Sequence, residues 1–106
     1  MKIPIAFMSF DRPDLLEQVL QSVLRQRPVE GYEFDYYLFQ DGWQNRSDGA
    51  AKCDPKAANA CISLFKQYLP AGQVFRSTIN LGVAGNFDRA EREFFERNVH
   101  DVAFFF

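Results

Sequence analysis

The chain alternates short, almost unbroken apolar runs with longer segments in which apolar residues recur every three or four positions. Lys2 to Phe10, "KIPIAFMSF", is nearly continuous and predicts a strand buried on both faces. The next segment, "DRPDLLEQVLQSVLRQ", lines up Leu15, Leu16, Val19, Leu20, Val23 and Leu24 at helical spacing. Pro13 suits the first helical position, and Asp14 and Glu17 sit where the helix dipole favours negative charge. "RPVEGYE" breaks that helix, and Phe34 to Gln40, "FDYYLFQ", predicts a second strand. "DGWQNRSDGAAKCD" is then a loop rich in Gly, Asp and Asn, long enough to carry function. Asp54 and Pro55 form a cap and first-turn pair for a second helix that runs to about Leu69. Its expected core face is Ile62, Phe65, Tyr68 and Leu69, and Pro70 and Gly72 end it.

"QVFRST" reads as a short third strand. "INLGVAGNF" is a turn-rich passage into a third helix, about Phe87 to Arg97, with Phe87, Ala90, Phe94 and Phe95 turned inward. "NVHD" is a loop and "VAFFF" a fourth strand. Strands alternating with helices at this spacing predict βαβ units: one α/β domain over residues 1–106, with a parallel sheet of about four strands. Ligands of such sheets bind beyond the carboxyl ends of the strands, where the strand order reverses. Those ends carry "SFDR", "QDGW" and "TINLG", all polar.

Composition narrows the function classes. Phenylalanine is over-used, with 12 copies against one Trp and four Tyr, which implies a thick core or apolar surface meant for cover. A net charge of −2 with scattered basic residues argues against a nucleic-acid partner. Every apolar stretch falls short of the roughly 18 residues that span a bilayer, so no transmembrane segment is expected. The first residues lack the apolar core of a signal peptide, and the expected location is cytoplasmic. Cys53 and Cys61 have neither the number for a disulfide framework nor zinc-site spacing, and His100 is the only histidine. That single histidine also leaves no nucleophile–base constellation to build.

Phosphate-binding fingerprints are missing: there is no GxxxxGK[ST], and no GxGxxG follows the first strand. Arg12 nonetheless stands at the first strand–helix junction, where a guanidinium and helix-start amides can meet a diphosphate together. A solvated arginine in a capping turn fits the same spacing. Asp41, just past the second strand, can accept a hydrogen bond from a nucleobase imide or a ribose hydroxyl, although Asp-Gly is also ordinary turn chemistry. In "NLGVAGN", Gly82 and Gly85 permit positive φ or close backbone approach, and Asn80 and Asn86 supply amide groups. A plain strand–helix connection would use the same residues. It is the convergence of these signals on one sheet edge that points to a ligand.

"PIAFMSFDRPDLLEQVLQSVL", "DYYLFQDG" and "NLGVAGNFDRA", in that order, resemble the nucleotide-binding half of GT-A-fold glycosyltransferases. Family-2 enzymes are similar in the strand, turn and amphipathic helix, in "DG" after the second strand, and in Asn-x-Gly before the third helix. The "FDRP" and "FQDG" versions are closer to the N-acetylglucosaminyltransferase I type. The resemblance implies a Rossmann-like, partial GT-A fold and transfer of a sugar from a nucleotide-diphosphate sugar, expected to be a UDP-sugar, to a hydroxyl acceptor. It assigns Asp41 to the uracil and Arg12 to the diphosphate, with Ser9 and Phe10 lining the base pocket. Gly82 would let the backbone pass close to the nucleoside, and Asn86 would make a polar nucleotide contact.

The same resemblance implies a divalent cation, Mn²⁺ or Mg²⁺, held by a DxD-type motif directly after the fourth strand. The sequence given ends at "VAFFF", before any such acids, so the ligands are expected outside this chain and turnover by it alone is not expected. An uncovered fourth strand is expected to promote self-association. A different class stays open beside the enzyme: a non-catalytic nucleotide-binding or interaction module with the same half-fold.

Overall fold

The computed structural model describes residues 1–98 and 100–106, so the Val99 position of the expected "NVHD" loop lies outside the described residues. Four strands and three α-helices alternate among the described residues: β1 (Lys2–Ser9), α1 (Pro13–Leu24), β2 (Glu33–Gln40), α2 (Pro55–Tyr68), β3 (Gln73–Arg76), α3 (Gly82–Glu91) and β4 (Phe104–Phe105). All strand pairs are parallel and the sheet order is β3-β2-β1-β4. This is the Rossmann-like α/β arrangement that the alternating pattern predicts.

Strand alternation sorts the core into two layers. Ile5, Phe7 and Leu38 face α1 and α2, where they pack with Leu16, Leu20, Val23, Cys61, Ile62 and Phe65. Ala6, Tyr37 and Phe39 face the other way and pack with Ala90 and Phe94. On that second side Phe39 stacks on Phe75, its register partner in β3, with ring centroids 5.0 Å apart. Phe94 meets Phe39 edge-on at 5.6 Å and Tyr37 at 4.9 Å. Such aromatic pairs add about 0.5–1.5 kcal/mol each to the burial itself.

Helix α1 begins at Pro13 as its sequence predicts, and the Asp54 carboxylate caps α2 by accepting the Lys56 N–H at 2.9 Å. The Tyr68 hydroxyl joins the two helices, donating to Glu17 Oε2 and accepting from the Gln21 amide, both at 3.0 Å. Leu15 departs from the expected apolar face and is exposed, because it sits at the open carboxyl edge of the sheet. In α2 the fully buried residues are Ala58, Cys61, Ile62 and Phe65, while Tyr68 and Leu69 are only half-buried.

The third helix differs most from its sequence pattern. It starts at Gly82, five residues before the expected Phe87, so the glycine- and asparagine-rich passage is mostly helix. From Arg92 to Arg97 it continues as a π-helical turn. That wider turn keeps Phe94 fully buried but rotates Phe95, expected inward, to the exposed surface.

The third strand is shorter than "QVFRST", and the fourth is confined to Phe104 and Phe105. Phe105 packs on the α3 side against Phe87, at 4.6 Å, whereas Phe104 and Phe106 stay 45% and 49% exposed. No helix among the described residues is long and apolar enough to cross a membrane.

Candidate functional site

The chain lays down β1, β2 and β3 in one direction and then returns to place β4 on the other side of β1. The strand order therefore reverses at β1, and a crevice is expected beyond its carboxyl end. Two clefts flank that end. One, of about 270 Å³, lies along the start of α1 and is lined by Met8, Ser9, Phe10, Asp11, Arg12 and Phe106, among others. The other, of about 250 Å³, opens towards α3 between Met8, Ser9, Asp41, Val83, Asn86 and Phe87. Met8 and Ser9 belong to both.

Of the six residues singled out from sequence, the fold brings Ser9, Phe10, Arg12, Asp41 and Asn86 to these two clefts, whereas Gly82 lines neither, and it does not hold the five alike. Ser9 closes β1, and its carbonyl accepts the Asp41 N–H at 2.8 Å. Phe10 presents its carbonyl to the buried Gln40 amide, with the Cys61 thiol 3.9 Å away. Arg12 occupies the cap position of α1 and is exposed, its Nε 3.4 Å from Asp14. A pair so solvated contributes little, so the Arg12 guanidinium is available to an anion in the α1 cleft.

Asp41 is buried, and most of its acceptor capacity is already engaged. Oδ1 accepts the backbone N–H groups of Gly42 and Leu81, both at 2.7 Å, and Oδ2 accepts the Asn80 amide at 3.2 Å. Further bonds join the same two loops: Gln44 N–H to Thr78 O, Asn80 N–H to Gln44 O and Asn80 Nδ2 to Gly42 O. The loops after β2 and β3 are therefore zipped together, with the carboxylate as the central clip. A carboxylate has about four lone-pair sites, so one acceptor site on Asp41 stays free of these bonds, and the residue forms part of the wall of the α3 cleft.

Asn86 is likewise buried and committed. Its Nδ2 donates to Phe39 O at 2.9 Å, and its Oδ1 accepts Arg89 Nε at 2.8 Å. Gly82 adopts φ +77° at the start of α3, and a Cβ there would meet open space. The conformation, rather than close approach by a neighbour, accounts for glycine at this position.

Arg89 is the residue that sequence reading passes over. Its Nη2 donates to the carbonyls of Gln40 and Phe75 at 2.8 and 3.1 Å, tying α3 to the ends of β2 and β3. Its guanidinium carbon lies 5.7 Å from the Phe39 ring centre. Burial lowers the pKa of this arginine, and the nearby Asp41 charge opposes that shift. The signal was present: Asn86, Arg89 and Ala90 fall on the same helical face as Phe94, so two polar residues share the buried stripe.

The thiols offer little reactivity. Burial raises the pKa of Cys61 and also that of the half-buried Cys53, where Asp11 and Asp54 push in the same direction. Both are free. Among the described residues no three His, Cys, Asp or Glu side chains come together in a way that would hold a metal ion.

No protein-family model matches this chain, and neither a curated protein nor a solved structure matches it.

Proposed function

We propose that this chain is the nucleotide-sugar-binding part of a GT-A-type glycosyltransferase, the intact enzyme transferring a sugar from a UDP-sugar to a hydroxyl acceptor. The observation that carries the reading is the pair of clefts sharing Met8 and Ser9 at the strand-order reversal. One has a carboxylate with spare acceptor capacity beside an aromatic ring, Asp41 and Phe87. That combination suits a base bearing an imide N–H. The other has at a helix start the guanidinium of Arg12, held only in a solvated pair with Asp14, which suits a diphosphate. Ser9 is shared by the two, Phe10 lines the one beside Arg12, Asn86 lines the one beside Asp41, and Gly82 begins α3. The sequence resemblance supplies the reaction class.

The divalent cation of such enzymes does not fit the described residues, which assemble no cluster of acids. The proposal here therefore covers donor binding, and no step is routed through a metal.

The test is a titration of the ¹⁵N-labelled chain with UDP, CDP, GDP and ADP, followed by amide shifts. UDP should bind in the millimolar to high micromolar range and move Ser9, Phe10, Arg12 and Asp41 together. Equal responses to all four nucleotides would favour the non-catalytic nucleotide-binding module instead. Movement confined to other residues would remove both readings.

Strand β4 bears on partners. It is an edge of the sheet, and Phe104 and Phe106 leave one apolar flank open. The proposal includes self-association there: light scattering should give a mass that rises with concentration, and Phe104→Lys should suppress the rise. A mass that stays monomeric at every concentration would end that part.

A further inference from the structure

Asn80 lines neither cleft, yet its side chain is held at the point where Asp41 is oriented. Its Nδ2 donates both to Asp41 Oδ2, at 3.2 Å, and to Gly42 O, at 2.9 Å. Its backbone N–H is fixed on Gln44 O at 2.7 Å. The carbonyl of Gly42 accepts only, so it dictates which end of the Asn80 amide faces the carboxylate: the donor end. On the far side Oδ1 is pinned by the N–H groups of Gly42 and Leu81. The carboxylate is thus held from both oxygens, three bonds in all, on a residue that lines the α3 cleft.

We infer that Asn80 is a positioning residue that makes this site selective for a pyrimidine with a donor at N3. This rests on the nucleotide-binding reading above and goes beyond it by naming the group that sets base choice. A carboxylate held in one orientation accepts the N3–H of a uracil-type base. A cytosine-type base presents an acceptor at N3, and the two lone pairs repel. Should the carboxylate be free to turn, it would take the exocyclic amino group of cytosine instead, and the discrimination would shrink. Asn80 therefore acts on the ratio of two affinities rather than on affinity alone.

The experiment compares UDP and CDP binding in the parent chain, Asn80→Leu and Asn80→Asp. Leucine keeps the approximate shape without the donor, and aspartate places a second carboxylate against Asp41. Both variants should bind UDP more weakly, and the UDP-to-CDP affinity ratio should fall about tenfold, the scale of one hydrogen bond to a charged group. Unchanged selectivity in variants that keep dispersed amide spectra would overturn the inference and leave the nucleotide reading standing. A parent chain that binds UDP and CDP equally would overturn the inference and the uridine donor of the proposed enzyme, in favour of the base-blind module, and a parent chain that binds neither would overturn nucleotide binding itself.

A measurement on the parent chain guards against variants that fail to fold. The Asn80 side-chain NH₂ signals should shift on adding UDP and stay put with CDP at equal occupancy. Silence of those signals while Ser9 and Phe10 respond to UDP would likewise defeat the inference.

Discussion

Gly42→Ala should destabilise the chain by about 3 kcal/mol, the upper part of the range for forcing a group into a packed site. A methyl at this position would lie 2.4 Å from the carbonyl carbon and oxygen of Ile79 and from the carbonyl carbon of Thr78. These are backbone atoms of the loop after β3, and no rotamer change moves them aside. The loop can retreat only by giving up the bonds that zip it to the loop after β2: Gln44 N–H to Thr78 O, Asn80 N–H to Gln44 O, and the Asp41 bonds. In a domain of this size the expected fall in Tm is roughly 12–24 °C. Gly82→Ala is the informative comparison. It strains a positive φ but meets no neighbour, so its cost should be nearer the roughly 1–2 kcal/mol of a left-handed conformation. Thermal melts that rank Gly82→Ala as the more damaging would show that the loops do not meet as described.

Asp41→Ala should be of similar size, about 3–4 kcal/mol, and the loss should appear without any ligand present. The substitution takes the acceptor from two backbone N–H groups, those of Gly42 and Leu81, and from the Asn80 amide. A buried donor left unsatisfied costs about 1–3 kcal/mol, and partial access of water to the loop lowers the sum. Asp41→Asn should fall between alanine and the parent, at about 1–2 kcal/mol. Its carbonyl oxygen can still accept the two N–H groups, but its amide nitrogen then faces the Asn80 donor. Urea titrations of the three proteins give the order directly. An alanine variant as stable as the parent would mean that the carboxylate holds nothing together. Lost nucleotide binding in Asp41→Ala would therefore report a collapsed clip as readily as a missing contact. Selectivity measured at Asn80 does not share that weakness, because a ratio of affinities cancels loss of folded protein.

The strands and first two helices were legible because their signals are local. The unbroken apolar run of β1, the six apolar positions of α1 and the Asp54–Pro55 cap each lie within one segment. The start of α3 was not legible for the same reason. Gly82, Gly85 and Asn86 are poor helix formers, and what holds that turn helical is tertiary: Asn86 and Arg89 bonded to carbonyls at the ends of β2 and β3. The π-helical turn leaves no periodic trace in six residues, so α-helical spacing points Phe95 inward whereas it is exposed.

For the candidate site, the sequence singles out strand ends but carries no sign of how far each side chain is committed to bonds within the fold. Arg12 stays open to solvent, whereas Asp41 and Asn86 are bonded to groups 39 to 47 residues away. Those partners exist only once the sheet has brought the loops together. Gly42 illustrates the same limit. Asp-Gly reads as turn chemistry, but the structural demand is the passage of a second backbone.

The pairing of β1 differs greatly on its two sides. Eight consecutive residues register with β2, from Lys2 with Glu33 to Ser9 with Gln40, but only Ile5 and Ala6 register with β4, beyond which Phe106 adds one bond from its N–H to Ala6 O and one from the Met8 N–H to its carbonyl. That short ladder closes a loop of nearly the whole chain, where β1–β2 closes one of about thirty residues, and longer loops carry the larger closure entropy. Amide exchange should therefore reach Phe104 to Phe106 through partial openings that leave the β1–β2 amides protected. Phe106 is also a wall of the cleft beside Arg12. An occupant of that cleft would bind to a surface whose far side comes and goes, and part of its binding free energy would be consumed in keeping the strand in place.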